Sequence, residues 1–160
     1  MGNLLVNTKD QQFLLFEQFG MEKIFASEAY GGYSKDDVLM ILSEAEKMAV
    51  TSIFPTLKEG DEEGCHIKDG KVTVPKCFRE PFKKYCEAGW INPMDSPDVG
   101  GQGLPHTAGY AVSELFCAAN YAFVMYPGLT HGAANLINVY GNEEQKKKYM
   151  EKCFSGEWTG

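Results

Sequence analysis

The residues of this chain with chemistry to offer are few and scattered. Three are histidines. His66 stands beside a hairpin signal and His106 at the start of a helical stretch, positions where histidine more often faces solvent or caps than reacts. His131 lies inside an apolar helical stretch and reads as a satisfied core histidine rather than a ligand. Glu114 is a lone carboxylate in an apolar helix; burial would raise its pKa and suit it to act as a base, but such a residue more often pairs with an arginine or a backbone group. The five cysteines (Cys65, Cys77, Cys86, Cys117 and Cys153) form no C-x-x-C pair. Their odd number does not suit a disulfide framework, so reduced thiols in a cytoplasmic protein are the simplest reading. Cys65-His66 could open a metal site, but no second pair follows at ligand spacing and no metal is expected. "VGGQGLP" is glycine-rich, yet Gly100, Gly101 and Gly103 follow a loop rather than a strand. They read as a sharp turn, not a phosphate cradle. None of these features makes an active site on its own.

The elements that would position such residues belong to one domain. The chain has 160 residues, 44% of them hydrophobic and 23% charged, which is ordinary for a globular domain with a real core. A net charge of -7 argues against nucleic acid, whose phosphates need a surplus of Lys and Arg. No basic segment followed by an apolar one opens the chain. Met1-Gly2 begins like a myristoylation site, but Val6 stands where Ser or Thr is wanted. The most apolar stretch, "LFCAANYAFVMYPGL", is too short and interrupted to span a bilayer of about 20 apolar residues, so no membrane association is expected.

The pattern along the chain predicts an all-α fold, a bundle of about six helices with one small β-hairpin near residues 66–74. "QQFLLFEQFGMEKIF" predicts a short apolar helix ending near Gly20. Ser34 before Asp36 and Asp37 marks a helix start. Val38, Ile41, Leu42, Ala45, Met48, Ala49 and Ile53 then recur on one helical face, with a kink near Pro55. Asp69-Gly70 between short alternating segments signals the hairpin. "FREPFKKYCEAG" predicts a helix closed by Gly89. The stretch from His106 to Tyr126 is apolar nearly all round, hence buried on most faces. A further helix starts near Pro127 and ends at Gly141. Asn142 caps the last one, with Glu143 and Glu144 in its first turn and Lys146, Lys147 and Lys148 beyond, an order that suits the helix dipole.

Several segments together resemble a known family. "GWINPMDSPDVGGQGLP", "SELFCAANYAFVMYPGLTHGAA" and "YGNEEQKKKYMEKCFSGEWTG" carry the pattern G-G-x-G-L-P, then S-E-L, then G-N-E-E-Q-K-x-x-Y, then S-G-E-W. In that order they resemble the N-terminal helical domain of flavin-dependent acyl-CoA dehydrogenases. "GDEEGCHIKDGKVTVPKCFREPFKKYCEAGW" and "KDQQFLLFE" resemble the long branch typified by 3-methylmercaptopropionyl-CoA dehydrogenase. The resemblance covers nearly the whole chain and implies a single domain, residues 1–160, ending where the family's middle β-barrel should begin.

For the complete enzyme the resemblance implies oxidation of an acyl-CoA to the 2,3-enoyl-CoA in fatty acid metabolism. A glutamate takes the α-proton and hydride passes to FAD. It also implies electron-transfer flavoprotein as a partner, a homo-oligomeric state and a cytoplasmic location. Flavin and base belong to later domains, so no catalytic residue and no bound FAD are expected in these residues, and the isolated chain is expected to be inactive. The implied share of this domain is one wall of the acyl pocket, formed by Val124, Met125, Tyr126, Gly128, Leu129 and Gly132. Gly132 sits within a helical stretch, where glycine is costly; close packing of another helix and room for the acyl chain both explain it. Two other readings stand beside the enzyme: a helical interaction or scaffold module that keeps the fold without the chemistry, and a small-ligand carrier.

Overall fold

A computed structural model describes residues 4–159; the Met1-Gly2 start weighed above lies outside them. The architecture is all-α with one hairpin, as the pattern predicts. Helix α1 (residues 8–18) begins as Thr8–Gln12, capped by Asn7, and widens into a π-helical turn over Phe13–Gln18. It ends at Gly20, whose left-handed backbone leads into a 3-10 turn over Met21–Ala26.

Helix α2 (residues 35–53) runs through Lys35–Met48 and a π-helical turn at Ala49–Ile53. Ser34 and Asp37 form a reciprocal capping box at its start, which satisfies amide donors that a helix N-terminus otherwise leaves unpaired. Val38, Leu42, Ala45, Ala49 and Ile53 are its buried side, at the three- and four-residue steps of one helical face. Helix α3 covers Thr56–Glu63. Strands β1 (His66–Lys68) and β2 (Lys71–Thr73) pair antiparallel, Ile67 opposite Val72. Asp69 and Gly70 both take positive φ at the tip, as a tight hairpin turn requires.

Helix α4 covers Arg79–Glu87, and a long loop then leads to α5, His106–Tyr140. Helix α6 (residues 143–154) contains a π-helical turn at Lys146–Met150 and starts at a capping box between Asn142 and Gln145. The main core gathers α1, α2, α4 and the first half of α5 around Phe116, Leu115, Phe123 and Ile53. A smaller cluster of Ala134, Cys153 and Phe154 joins α5 to α6. Phe78 and Tyr85 both meet Phe123 edge-on, with ring centroids 5.6 and 5.9 Å away. No described helix is long and apolar enough to cross a membrane.

One element departs from the sequence-based expectation. The helix break expected at Pro127 lies at Asn120, where φ is -163° and ψ 98°. Asn120 Oδ1 accepts the amide of Phe123 at 3.1 Å, so this residue serves as the cap of a second arm, residues 121–140. Pro127 continues that arm with its side chain fully buried; its fixed φ is compatible with a helix, although it removes one amide donor and its ring crowds the preceding turn.

Candidate functional site

Between Glu114 and Glu143 the sequence carries no Asp, Glu, Lys or Arg. The second arm of α5 lies entirely within this uncharged run. One side of the arm packs inward through Phe123, Pro127, Thr130 and Ala134. The other presents Tyr121, Met125, Leu129, Leu136, Val139 and Tyr140 to the outside, with Leu129 58% and Tyr140 81% exposed. Steps of three and four residues, through Gly132 between Leu129 and Leu136, place these positions along one largely apolar stripe of the arm, with exposed Asn135 at its edge.

Gly128 and Gly132 lie within the stripe, one helical turn apart. A Cβ built on either would have no atom within 4 Å. The close helix packing weighed above as a cause of Gly132 is therefore not made by any described residue. Among the six expected wall residues, Met125, Gly128, Leu129 and Gly132 share this open face. Val124 and Tyr126 instead pack partly buried against the main core.

Tyr126 points to a different groove. Its hydroxyl lies 3.3 Å from Cys65 Sγ, and its ring meets Phe78 edge-on with centroids 6.0 Å apart. Burial first, then the Cys65 hydrogen bond, pushes its hydroxyl up to about 12. That groove holds about 450 Å³ between α3 and the foot of the second arm, with Leu57, Phe78 and Tyr121 on its walls. A groove of about 680 Å³ lies between α6 and the loop before α5. Its lysines and carboxylates are partly spent on each other, Lys146 Nζ lying 3.5 Å from Glu143.

The remaining candidates are structural. His131 Nε2 lies 2.6 Å from Asp95 Oδ2 and its ring stands 5.9 Å from Phe154. It is a satisfied, half-buried histidine that staples the loop before α5 to the arm. That loop closes on itself. The amides of Gly100, Gly101 and Gly103 donate to Pro97, Ser96 and Asp95 carbonyls, so none is left to cradle a phosphate. A Cβ at Gly101 would strike the Asp95 carbonyl, which explains that glycine as part of a sharp turn. Glu114 is exposed, contrary to the buried setting considered for it. Its partner is the side-chain amide of Gln11 at 2.9 Å. Among the described residues no cluster of His, Cys, Asp and Glu could hold a metal ion.

Sequence reasoning missed Asn120 and Thr56. Asn120 Nδ2 donates to Thr56 Oγ1 at 3.0 Å, and Thr56 Oγ1 donates to the Ile53 carbonyl at 2.6 Å. The available signal was an asparagine, a preferred cap residue, standing inside an apolar run.

Comparisons with known proteins agree on one family. Residues 35–157 match the family model "Acyl-CoA dehydrogenase, N-terminal domain". The chain is 28% identical over 152 residues to 3-methylmercaptopropionyl-CoA dehydrogenase of Ruegeria pomeroyi, covering 95% of this chain and 26% of that protein. It is 30% identical over 162 residues to a butyryl-CoA dehydrogenase of Syntrophomonas wolfei, covering 99% and 26%. The chain thus spans about a quarter of the length of these curated relatives. Its fold is similar to that in a structure of a glutaryl-coenzyme A dehydrogenase glutaryl-CoA complex, with a TM-score of 0.63 at 23% identity over 80% of this chain and 30% of that one.

Proposed function

The chain belongs to the acyl-CoA dehydrogenase family as its N-terminal domain, and from that premise we propose that it walls the acyl pocket of an enzyme that oxidises an acyl-CoA to the 2,3-enoyl-CoA. The observation that carries this reading is the open, uncharged stripe on the second arm of α5, with Gly128 and Gly132 bare at its centre. A hydrocarbon chain matches the part of this surface around the two glycines, because covering Met125, Leu129 and Leu136 leaves no side-chain polar group unpaired.

The same stripe fits a flavin diphosphate poorly, for it offers no cation to pair with phosphate charge. FAD, which when bound supplies the hydride-accepting chemistry, and the glutamate base are assigned in this reading to domains beyond these residues. The residues of this chain act by exclusion and shape. Met125 and Leu129 keep water from the acyl chain, Met125 with a pliable thioether. Gly128 and Gly132 leave it space. Electron-transfer flavoprotein as acceptor, homo-oligomeric assembly and a cytoplasmic place in fatty acid metabolism belong to the same proposal.

The test is Gly132→Leu in the complete enzyme. A leucine side chain in the stripe takes several methylenes' worth of room. Each methylene is worth roughly 1–3 kcal/mol of discrimination. The ratio of kcat/KM on long over short acyl-CoAs should therefore fall by at least about tenfold, with flavin content unchanged. Equal loss on every chain length refutes the wall.

A further inference from the structure

The stripe has a direction, and two buried polar side chains fix it. Asn120 and Thr56 are 2% and 5% exposed. Capping the second arm of α5 needs only the Asn120 oxygen, which accepts the Phe123 amide at 3.1 Å. The Asn120 nitrogen does something else. It donates to Thr56 Oγ1 at 3.0 Å, and that hydroxyl donates on to the Ile53 carbonyl at 2.6 Å. Ile53 closes the π-helical turn of α2, and Thr56 begins α3. One side-chain amide therefore starts the arm and ties its foot to the junction of two other helices.

The lever behind this joint is long. Gly132 lies roughly 18 Å along the arm from Asn120, at 1.5 Å per residue, so a tilt of about 10° at the foot moves it by about 3 Å. A shift of that size is close to one carbon–carbon contact distance of about 3.5–4 Å, so it matters to whatever packs on the bare backbone at Gly128 and Gly132. A buried polar network whose members are all paired rigidifies the packing around it.

We infer that Asn120 and Thr56 are positioning residues for acyl specificity: their amide–hydroxyl bond sets the direction of the helix arm that carries Met125, Gly128, Leu129 and Gly132. The inference rests on the proposed wall function and goes beyond it, for neither residue touches the stripe's open face. Thr56 lies in α3, and Asn120 is turned inward toward it.

Three variants separate positioning from simple folding. Thr56→Val removes the hydroxyl and keeps the shape. Thr56→Ser keeps the hydroxyl. Asn120→Ser keeps a cap oxygen but cannot reach Thr56. In the complete enzyme, Thr56→Val and Asn120→Ser should change the long-to-short ratio of kcat/KM by about tenfold, while flavin content and kcat on a short acyl-CoA hold. Thr56→Ser should restore the wild-type ratio. In the 160-residue chain, amide hydrogen exchange should quicken at residues 121–126 and stay unchanged at residues 108–119.

Uniform loss of activity across chain lengths, a serine variant that behaves like the valine variant, or exchange that quickens equally in both arms overturns the inference. If the Thr56→Val protein fails to fold, Asn120→Ser decides by the same readouts. A wild-type enzyme that oxidises no acyl-CoA overturns the proposed function and this inference together. An active enzyme whose variants keep the wild-type ratio overturns this inference alone.

Discussion

Replacing glycine by alanine should stabilise this domain at one helical position and fail to do so at another. Gly132 lies in the middle of the second arm of α5, and a Cβ there meets nothing within 4 Å. Alanine at an open helical site gains about 1 kcal/mol of helix propensity. For a chain of this size each kcal/mol moves Tm by roughly 2–4 °C, so Gly132→Ala should melt about 2–4 °C higher.

Gly60 lies in α3 and starts from the same gain. Its Cβ, however, would stand 2.5 and 2.8 Å from two ring carbons of Phe78. That ring cannot easily retreat, being 5% exposed and set edge-on against Phe123 and Tyr126. Overpacking a core in this way costs roughly 1–3 kcal/mol. The cost offsets the propensity gain or exceeds it by up to about 2 kcal/mol. Gly60→Ala should therefore melt between no change and about 8 °C lower. Thermal and urea unfolding of the two variants beside the wild type reads both. A Gly60→Ala protein stabilised as much as Gly132→Ala, or a Gly132→Ala protein that is destabilised, would refute the reasoning from local space.

Other expectations concern acid, thiols and surface. The Ser34 hydroxyl, and secondly the Ser34 backbone amide, hold the Asp37 carboxyl below its ordinary value. Its contribution to stability is thus present above the unfolded pKa of about 3.9 and fades as pH falls through the lower folded value. Urea midpoints of wild type and Asp37→Asn should differ at pH 7 and converge on acidification below that range; a constant gap speaks against the capping box as its source. Cys65 is exposed whereas burial pushes the Cys86 thiol up to about 11, leaving it roughly one thousandth thiolate at pH 8. A thiol reagent should modify Cys65 well before Cys86, as peptide mapping would show, and equal rates would contradict the burial of Cys86. The 160-residue chain should self-associate through the apolar stripe, with Leu129→Asp reducing the effect in sedimentation velocity; a clean monomer at high concentration without hydrophobic-dye binding would count against it.

Much of this fold was legible because its signals are local. Ser34 with Asp37 and Asn142 with Gln145 are caps written within four residues of sequence, and both form. Asp69-Gly70 names a tight hairpin, and the hairpin is there. The break in α5 was misplaced because Pro127 is a conspicuous local breaker, whereas Asn120 works through Thr56, a partner 64 positions away in sequence. A long-range hydrogen bond leaves no mark in periodicity. The widened turns at Phe13–Gln18 and Ala49–Ile53 were hidden for a related reason: one helical register shades into another without changing the apolar pattern much. At the proposed site, family resemblance points to the tract 124–132 as the acyl wall, but it does not tell which of its residues face outward and which face the core. Consecutive helical positions diverge by about 100°, which is enough to send Tyr126 to the core and leave Met125 outside.

The two glycines of the α5 stripe differ from Gly60 in the kind of explanation they need. Gly60 is accounted for within the chain, by the ring of Phe78 pressed against its bare backbone. Gly128 and Gly132 have no such neighbour among the described residues, yet they stand in a helix where alanine would be more stable. Around them Leu129, Leu136 and Val139 are each more than half exposed. A helix with core residues on one side and large apolar residues on the other is built to be covered on both. If the covering partner were only a flat protein surface, alanine or leucine would fill the stripe better than glycine. A bare notch between Met125 and Leu136 is the shape that accommodates a narrow apolar body, and this is why the acyl-wall reading is preferred over a scaffold that merely kept the fold.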